Sequence, residues 1–305
     1  MPAPRRDLFS ELRETGRLAR LAAWRALVEM YEGEDLTFAA SISYYALLSL
    51  FPILLILISI LGSVAATDAN RLAVMRFVLT YFPRQFDFII AQVDAFRLTP
   101  IRLGVGGALA LVWASLGVFN AISSAVNHAW GVEKKRNFWQ HRLFSFLMLV
   151  VAGLLLMGAL LLATAVQVVE ARWFASYHWS SPQLTMLRGV SVRYATFLLP
   201  AFVFGLIYYF VPHVTDVLVK DVWLGALVTG LLWDACLKGF AWFVRDTTRW
   251  TYIHGNIATV VVFLLWIYVS AAILLWGVEF TAAYAKMRRD IRAAGTGARK
   301  SVGSL

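Results

Sequence analysis

The stretch IATVVVFLLWIYVSAAILLWGVEF, residues 257–280, decides the fold. Its one charged side chain is Glu279, near the far end, and it contains no proline. A hydrocarbon core of about 30 Å requires about 20 apolar residues of helix. In lipid, a single segment can satisfy its own backbone polar groups only as a helix. The stretch is therefore predicted to be a transmembrane helix.

The rest of the chain has a similar apolar character. Of its 305 residues, 60% are hydrophobic and 15% are charged, whereas soluble domains are about half apolar and about a quarter charged. Too few polar side chains remain to cover a core of that size in water, which excludes an ordinary soluble domain. The single cysteine, Cys236, excludes an intramolecular disulfide and a metal site built from several cysteines.

Six stretches of the chain reach the length that a membrane-spanning helix needs. They are residues 38–62, 103–125, 143–169, 190–211, 222–244 and 257–280. We therefore predict an all-α fold, a polytopic membrane bundle of six transmembrane helices that occupies residues 36–285. Within it, residues 63–102 show helical spacing of apolar side chains on both sides of Pro83, which predicts two short amphipathic helices on the periplasmic face.

The distribution of Lys and Arg orients this bundle, because these residues gather in cytoplasmic loops. Seventeen lie in the N-terminal arm, the loops after the second and fourth spans, and the tail, and ten lie on the opposite side. The bias predicts that both ends are in the cytoplasm. The expected location is the bacterial inner membrane, which the chain crosses several times.

The two ends of the chain carry much of the net charge of +10. Residues 1–35 are predicted to form a basic cytoplasmic helix, with Arg13, Arg17 and Arg20 at helical spacing. We expect this helix to lie on anionic lipid headgroups; docking onto a partner protein is the alternative. Residues 286–305 are predicted to be a basic, disordered cytoplasmic tail. The basic residues are thus assigned to membrane lipids, and no nucleic acid is expected as a partner.

Charged residues inside a predicted span mark candidate functional sites, because they are costly in lipid. Asp234 and Lys238 lie four residues apart in the fifth span, so they share a helix face and can pair. Arg245 continues the same face toward the periplasm. The pair could serve only to neutralise itself and orient the helix. Alternatively, it forms a polar site near the bilayer midplane for an anionic group or a proton.

Polar residues at helical spacing in other spans could extend such a site, or could simply hold helices together by hydrogen bonds. Those in the first two spans are Ser41, Tyr45, Ser49, Asn120, Ser124 and Asn127. At the cytoplasmic end of the sixth span, Glu279 is expected to pair with the basic tail at the membrane interface.

Signals for catalysis are weak. The five histidines are scattered without metal-binding spacing, and neither a phosphate-binding loop nor a nucleophile-elbow motif occurs. The run Lys134-Lys135-Arg136 could contact RNA, but beside two membrane spans it is more typical of an interface anchor. We therefore predict no catalytic residues, no metal and no cofactor, and we do not expect an enzyme.

Three segments resemble the YihY/BrkB family of bacterial inner-membrane proteins. They are Ala39–Pro52 in the first span, the Asp234–Phe240 stretch in the fifth, and Gly255–Phe280 in the last. The resemblance covers about residues 30 to 290, and it implies six spans with both ends inside. His254 stands where the family usually has Tyr, and Asp234 stands where Glu is usual. The shorter side chain of Asp234 reaches one methylene less far, so its geometry toward Lys238 can differ.

The family resemblance implies a function only in outline. Some members are associated with serum resistance and envelope lipid export, which suggests transport of a lipid or an anionic small molecule. Others carry a ribonuclease label, which the lack of metal ligands in this sequence argues against. Our prediction is a transport or lipid-translocation protein; the alternative is a non-transporting scaffold for envelope assembly. The sequence leaves formation of a homo-oligomer open.

Overall fold

The computed structural model describes residues 8–64, 105–132, 139–140, 142–155, 158, 197–212, 219–246 and 248–302. This part of the chain contains seven helices and no strand, which confirms the predicted all-α class. The helices are α1 (Leu8–Glu32), α2 (Asp35–Val64), α3 (Val105–Ala129), α4 (Arg142–Leu155), α5 (Phe197–Phe210), α6 (Val219–Asp246) and α7 (Thr248–Val302).

Two of the described segments are long and apolar enough to cross a membrane. They are Val219–Phe243 in α6 and Val260–Ile291 in α7, and the apolar helices α4 and α5 are shorter. The predicted periplasmic helices at 63–102 and much of the third predicted span lie outside the described residues. The six-span count and the orientation therefore stay predictions.

Helix α7 is the centre of the packing, since it contacts α1, α2, α3 and α6. Its small and branched side chains join the largest buried cluster through Leu275 and Val278, together with Ile42 of α2, Val126 of α3 and Tyr208 of α5. The hydroxyl of Tyr208 is buried there and donates a hydrogen bond to the carbonyl of Leu274, at 3.0 Å. This bond satisfies a polar group that would otherwise be costly inside the bundle.

Helices α6 and α7 approach closely through a reciprocal pair of glycines and threonines. A side chain on Gly225 would collide with Thr281, and one on Gly277 would collide with Thr229 and Tyr208. Both threonines donate their hydroxyls to carbonyls in their own helices, Thr229 to Gly225 and Thr281 to Gly277. Small residues of this kind let two helix backbones come together in a membrane.

Helix α1 confirms the predicted N-terminal helix and has two different faces. Two of its alanines, Ala22 and Ala26, are fully buried against Trp276, Phe280 and Tyr284 of α7. The opposite face exposes a stripe of large apolar side chains, namely Leu21, Trp24, Leu27 and Tyr31, after the exposed Arg13, Arg17 and Arg20. A helix with this arrangement suits a lipid–water interface.

The prediction of a disordered tail is wrong for most of that segment. Helix α7 continues through residue 286 to Val302. The physical reason is that the chain has no proline after Pro212, and the tail contains Lys, Arg and Ala, which favour helix. The exposed Lys286 and Arg289 thus lie on the same helix as the last predicted span.

Candidate functional site

Asp234 and Lys238 of α6 do form the predicted pair, with the Lys238 ammonium donating to Oδ2 of Asp234. The two side chains differ in burial: that of Asp234 is 12% exposed and that of Lys238 is 64% exposed. The pair therefore lies at the edge of the bundle, with its acid turned inward and its base outward. The side chain of Arg245 lies outside the described residues.

The surroundings of this pair are apolar. On the same helix, Leu237 and Phe240 belong to a buried cluster with Phe263 and Trp266 of α7. The ring of Trp233, next to Asp234 in sequence, lies 5.8 Å from that of Trp266. A partner base stabilises a carboxylate that is buried against such a cluster. This environment favours the reading in which the pair neutralises itself.

The polar residues predicted for the first span are mostly engaged within the bundle. Ser41 donates to the carbonyl of Thr37 at 3.0 Å, one turn earlier in α2. Ser49 is fully buried, and Tyr45 is exposed with its ring against Gly117 of α3. These contacts are typical of helix packing and do not direct the three side chains to one point.

The second span shows the same behaviour. Asn120 of α3 accepts a hydrogen bond of 2.5 Å from the Ser145 hydroxyl of α4, which joins two helices. Asn127 donates to the carbonyl of Ser123 at 2.7 Å, and Ser124 is exposed. The nine residues predicted for a midplane site therefore are not shown to form one; whether they bind anything stays a prediction.

A cavity of about 380 Å³ lies elsewhere, where the α1–α2 turn meets the end of α3 and the middle of α7. Its lining is unusually rich in ionisable groups for a bundle of apolar helices. Four acids and three bases line it, together with one histidine: Glu29, Glu34, Asp35, Glu279, Arg25, Lys286, Arg289 and His128. We call this space the end cavity. Neither Asp234 nor Lys238 lines it.

Asp35 is the most buried ionisable group of the end cavity, with 2% of its surface exposed. Its Oδ2 atom has no hydrogen-bond partner within the described residues, and the same holds for the indole nitrogen of Trp130, which also lines the cavity. Burial raises the pKa of the Asp35 carboxyl above its usual range; His128 opposes this shift and Glu29 adds to it. A buried acceptor and a buried donor thus both lack a partner beside the same space.

The charged groups of the end cavity do not neutralise each other directly. No ion pair within 4.0 Å joins any two of them in the part of the chain that the structure describes. The bases Arg25, Lys286 and Arg289 are exposed, whereas Asp35 is buried and Glu279 is half-buried. The end cavity therefore has carboxylates at its buried bottom, Asp35 and Glu279, and an exposed rim where the three bases lie beside the acids Glu29 and Glu34. Glu279 does share this space with two bases of the tail, but its predicted ion pair stays a prediction.

Unlike Asp35, a second buried acid, Asp221, forms an ion pair. Asp221 begins α6 with a side chain only 3% exposed, and it accepts a hydrogen bond from Arg288 of α7 at 2.5 Å. This ion pair ties the start of α6 to the tail end of α7. The described residues hold no group of three His, Cys, Asp or Glu side chains arranged for a metal ion.

Sequence reasoning missed the end cavity because its residues come from four helices and two turns. Asp35 and His128 are single polar residues at helix ends, and no periodic pattern singles them out. The one available signal was the predicted topology, which places Arg25, Asp35, His128 and Lys286 all on the cytoplasmic side.

The described helices, two of which are long and apolar enough to cross a membrane, fit an integral membrane protein. The chain matches the family described as virulence factor BrkB over residues 27–301, so it belongs to the BrkB family. This confirms the resemblance seen in the sequence.

Relatives of known sequence agree with this assignment. A UPF0761 membrane protein of Cronobacter sakazakii is 30% identical over 285 residues, which are 90% of this chain and 94% of the relative. UPF0761 membrane proteins of Vibrio vulnificus and Alkalilimnicola ehrlichii are 27% and 29% identical, over 80% and 85% of this chain and 76% and 57% of the relatives. None of these names is that of an enzyme. No solved structure matches the chain.

Proposed function

We propose that this protein crosses the bacterial inner membrane six times, with both ends in the cytoplasm, and translocates a lipid or a small molecule that carries an anionic group. The observation that carries this proposal is the end cavity, in which seven charged side chains surround about 380 Å³ without pairing with one another. Unpaired charges beside a space of this size are typical of a site that binds a polar ligand.

The location of the end cavity supports the proposed orientation. Its charged residues come from four segments that the Lys and Arg bias independently assigns to the cytoplasmic side, around Arg25, Asp35, His128 and Lys286. The Asp221–Arg288 pair joins two further residues assigned to that side. Segments of opposite sides could not meet at one end of the bundle, so their meeting supports an arrangement with both ends of the chain on one side of the membrane. The Lys and Arg bias makes that side the cytoplasm.

The exposed bases of the rim favour an anionic group on the ligand. Lys286 and Arg289 lie near the end of the membrane-length segment Val260–Ile291 of α7, where lipid headgroups would meet water. A site there is accessible both to a dissolved anion and to the phosphate of a lipid.

A scaffold without transport is the second candidate. It is favoured by the Asn120–Ser145 hydrogen bond and the Asp234–Lys238 pair, because these polar groups of the spans satisfy each other. A scaffold does not account for the unpaired charges of the end cavity, however. A role as a ribonuclease has no support among the described residues.

Reconstitution in liposomes tests transport. Two probes cover the two ligand sources: fluorescent phosphatidylglycerol, with chemical quenching of the outer leaflet, and radiolabelled glycerol 3-phosphate in the lumen. We expect one probe to move faster than in protein-free liposomes. Replacing two of the three rim bases, Lys286→Gln with Arg289→Gln, should slow it, whereas Lys220→Gln, an exposed lysine outside the end cavity, should not. Movement of neither probe above the protein-free rate would favour the scaffold.

Reporter fusions test the orientation. A reporter that is active only in the cytoplasm should be active after the tail, and one that is active only in the periplasm should be active near Asp87. The reverse result at either site would contradict the N-in, C-in arrangement.

A further inference from the structure

We propose that the end cavity binds a zwitterionic group, a primary ammonium held by Asp35 and a phosphate held by Lys286 and Arg289, as in phosphoethanolamine. This inference rests on the proposed function, because it names the chemical class of the substrate. The same chemistry occurs in a dissolved molecule and in the headgroup of an aminophospholipid.

A ligand that donates hydrogen bonds would stabilise the buried carboxylate of Asp35. Asp35 is 2% exposed, lines the end cavity, and has an Oδ2 atom without a partner among the described residues. Leaving a buried acceptor without a donor is costly, and charge on that acceptor increases the cost. An ammonium supplies both the donors and the opposite charge.

Two bases of the rim can bind a negatively charged group of the ligand. Lys286 and Arg289 lie on α7 nearly one helical turn apart, so they share one face. Both are exposed, and neither is in an ion pair with another described residue. An Arg beside a Lys is well suited to a phosphate, since the guanidinium can bind two oxygens at once.

Other ligand classes fit the charges less well. A simple anion would meet four carboxylates, and a simple cation would meet three bases. A metal ion lacks the ligand geometry among the described residues. A zwitterion satisfies both sets of charges, provided that its ammonium enters first and its phosphate remains at the rim.

Protonation of Asp35 is the remaining way to satisfy this site, so the groups facing it must be considered. Helix α1 presents Arg25 and Glu29, the α1–α2 turn presents Glu34, α3 presents His128, and α7 presents Glu279, Lys286 and Arg289. A proton would remove the charge of Asp35, but it would leave the rim bases without a partner. Ligands that lack one of the two charges therefore distinguish binding of a zwitterion from protonation of Asp35.

The experiment measures binding by calorimetry to the full-length protein in nanodiscs of phosphatidylglycerol. The probes are phosphoethanolamine, propyl phosphate, which replaces the ammonium by a methyl group, and propylamine, which lacks the phosphate. We expect phosphoethanolamine to bind at least about tenfold more tightly than propyl phosphate, since one charge-assisted hydrogen bond accounts for that difference. Propylamine should bind more weakly than phosphoethanolamine by a similar factor.

Substitutions assign each half of the ligand to its residues. Asp35→Asn should bring the phosphoethanolamine and propyl phosphate affinities to within about twofold, whereas Asp290→Asn, an exposed acid of α7 outside the end cavity, should leave the tenfold preference. Lys286→Gln with Arg289→Gln should weaken both phosphates alike and keep the preference for the ammonium. Lys286 and Arg289 are exposed, so the double variant still tests phosphate binding if Asp35→Asn fails to fold.

The source of the ligand follows from a second nanodisc. If the headgroup is the ligand, phosphatidylethanolamine in the nanodisc should abolish binding of free phosphoethanolamine; if the free molecule is, binding should persist. Either result supports the zwitterion site, whereas equal affinity for all three probes, or a pH-dependent signal without ligand preference, would overturn it. Transport of glycerol 3-phosphate with no preference for an ammonium would overturn this inference alone. Ammonium-selective binding without transport would overturn the proposed function alone.

Discussion

The crossing of α6 and α7 at Gly277 offers the sharpest test of the packing, through the substitution Gly277→Ala. The added methyl group would occupy space now taken by the Thr229 hydroxyl and the Tyr208 hydroxyl, and it would lie 2.9 Å from the Thr229 methyl carbon. Tyr208 and Thr229 belong to two different helices, so a rotation of one side chain cannot relieve the collision. Either the helices separate or Tyr208 leaves its place.

The magnitude follows from three terms. Overpacking a buried site costs about 1–3 kcal/mol. Displacing Tyr208 also removes its hydrogen bond to the Leu274 carbonyl, a net loss of about 1 kcal/mol. The higher helix propensity of Ala opposes these losses by about 1 kcal/mol. We therefore expect Gly277→Ala to lower the free energy of unfolding by about 2 kcal/mol, a factor of about 30 in the folded-to-unfolded ratio.

Gly239→Ala is the matched control, since a side chain at this position of α6 would meet nothing within 4 Å. It should leave stability unchanged or raise it by up to about 1 kcal/mol. The assay is reversible unfolding in mixed micelles with increasing sodium dodecyl sulfate, followed by tryptophan fluorescence. Adding Tyr208→Phe to Gly277→Ala should recover part of the loss, because it removes one of the colliding oxygens. If Gly277→Ala and Gly239→Ala unfold alike, the close crossing at Gly277 is not present.

Three further predictions concern charged residues. Asp221→Asn should lower the free energy of unfolding by about 3 kcal/mol, because it leaves Arg288 beside a neutral partner, and Asp221→Asn with Arg288→Gln should recover part of it. Asp234→Asn or Lys238→Met alone should lower membrane abundance more than the double substitution, because a lone charge in a span is costly. Burial raises the pKa of Asp35 above 3.8, so wild-type stability should fall as pH rises from there to the folded pKa, and Asp35→Asn should gain on wild type over that interval.

Each of these has a measurement and an outcome that contradicts it. Unfolding in mixed micelles should show the Asp221 double variant between the single variant and wild type; additive losses would mean that the pair does not couple. Immunoblots of membranes report abundance, and wild-type levels of both Asp234 and Lys238 single variants would mean that they are not a buried pair. Melting temperatures from about pH 4 to about pH 8 test Asp35, and a constant difference across that range would refute its role.

The sequence predicts well the structural features that depend on neighbouring residues within one helix. The spacing of Asp234 and Lys238 implies their contact, and the apolar run at 257–280 implies a helix in lipid whatever its partners are. Features that depend on how helices meet are different. The Asp221–Arg288 pair joins residues 67 positions apart. Gly277 can be recognised in the sequence only as part of a family motif, because the residues with which a side chain there would collide lie on α5 and α6.

The tail shows the same limit from the other direction. A charged segment after an apolar span resembles a disordered tail in composition, yet the backbone of α7 is helical to Val302. A helix propagates at little cost once it has started, whereas starting one in water is unfavourable. The tail is helical because the preceding span supplies the start, and this places Lys286 and Arg289 on a fixed face beside the end cavity.

The contrast between paired and unpaired charges makes the end cavity a stronger candidate for function than the Asp234–Lys238 pair. The Asp234–Lys238 pair is complete without a ligand, whereas Asp35 has an unsatisfied buried oxygen, and Lys286 and Arg289 are in no ion pair with another described residue. Helix α7 connects the two levels, since Gly277 lies roughly 14 Å from Lys286 along its axis. A shift of α7 forced by Gly277→Ala would therefore move the rim relative to Asp35. If the end cavity holds both ends of one ligand, this variant should weaken phosphoethanolamine binding although it touches no lining residue. A variant that loses stability but keeps full affinity would separate the packing of α7 from the site.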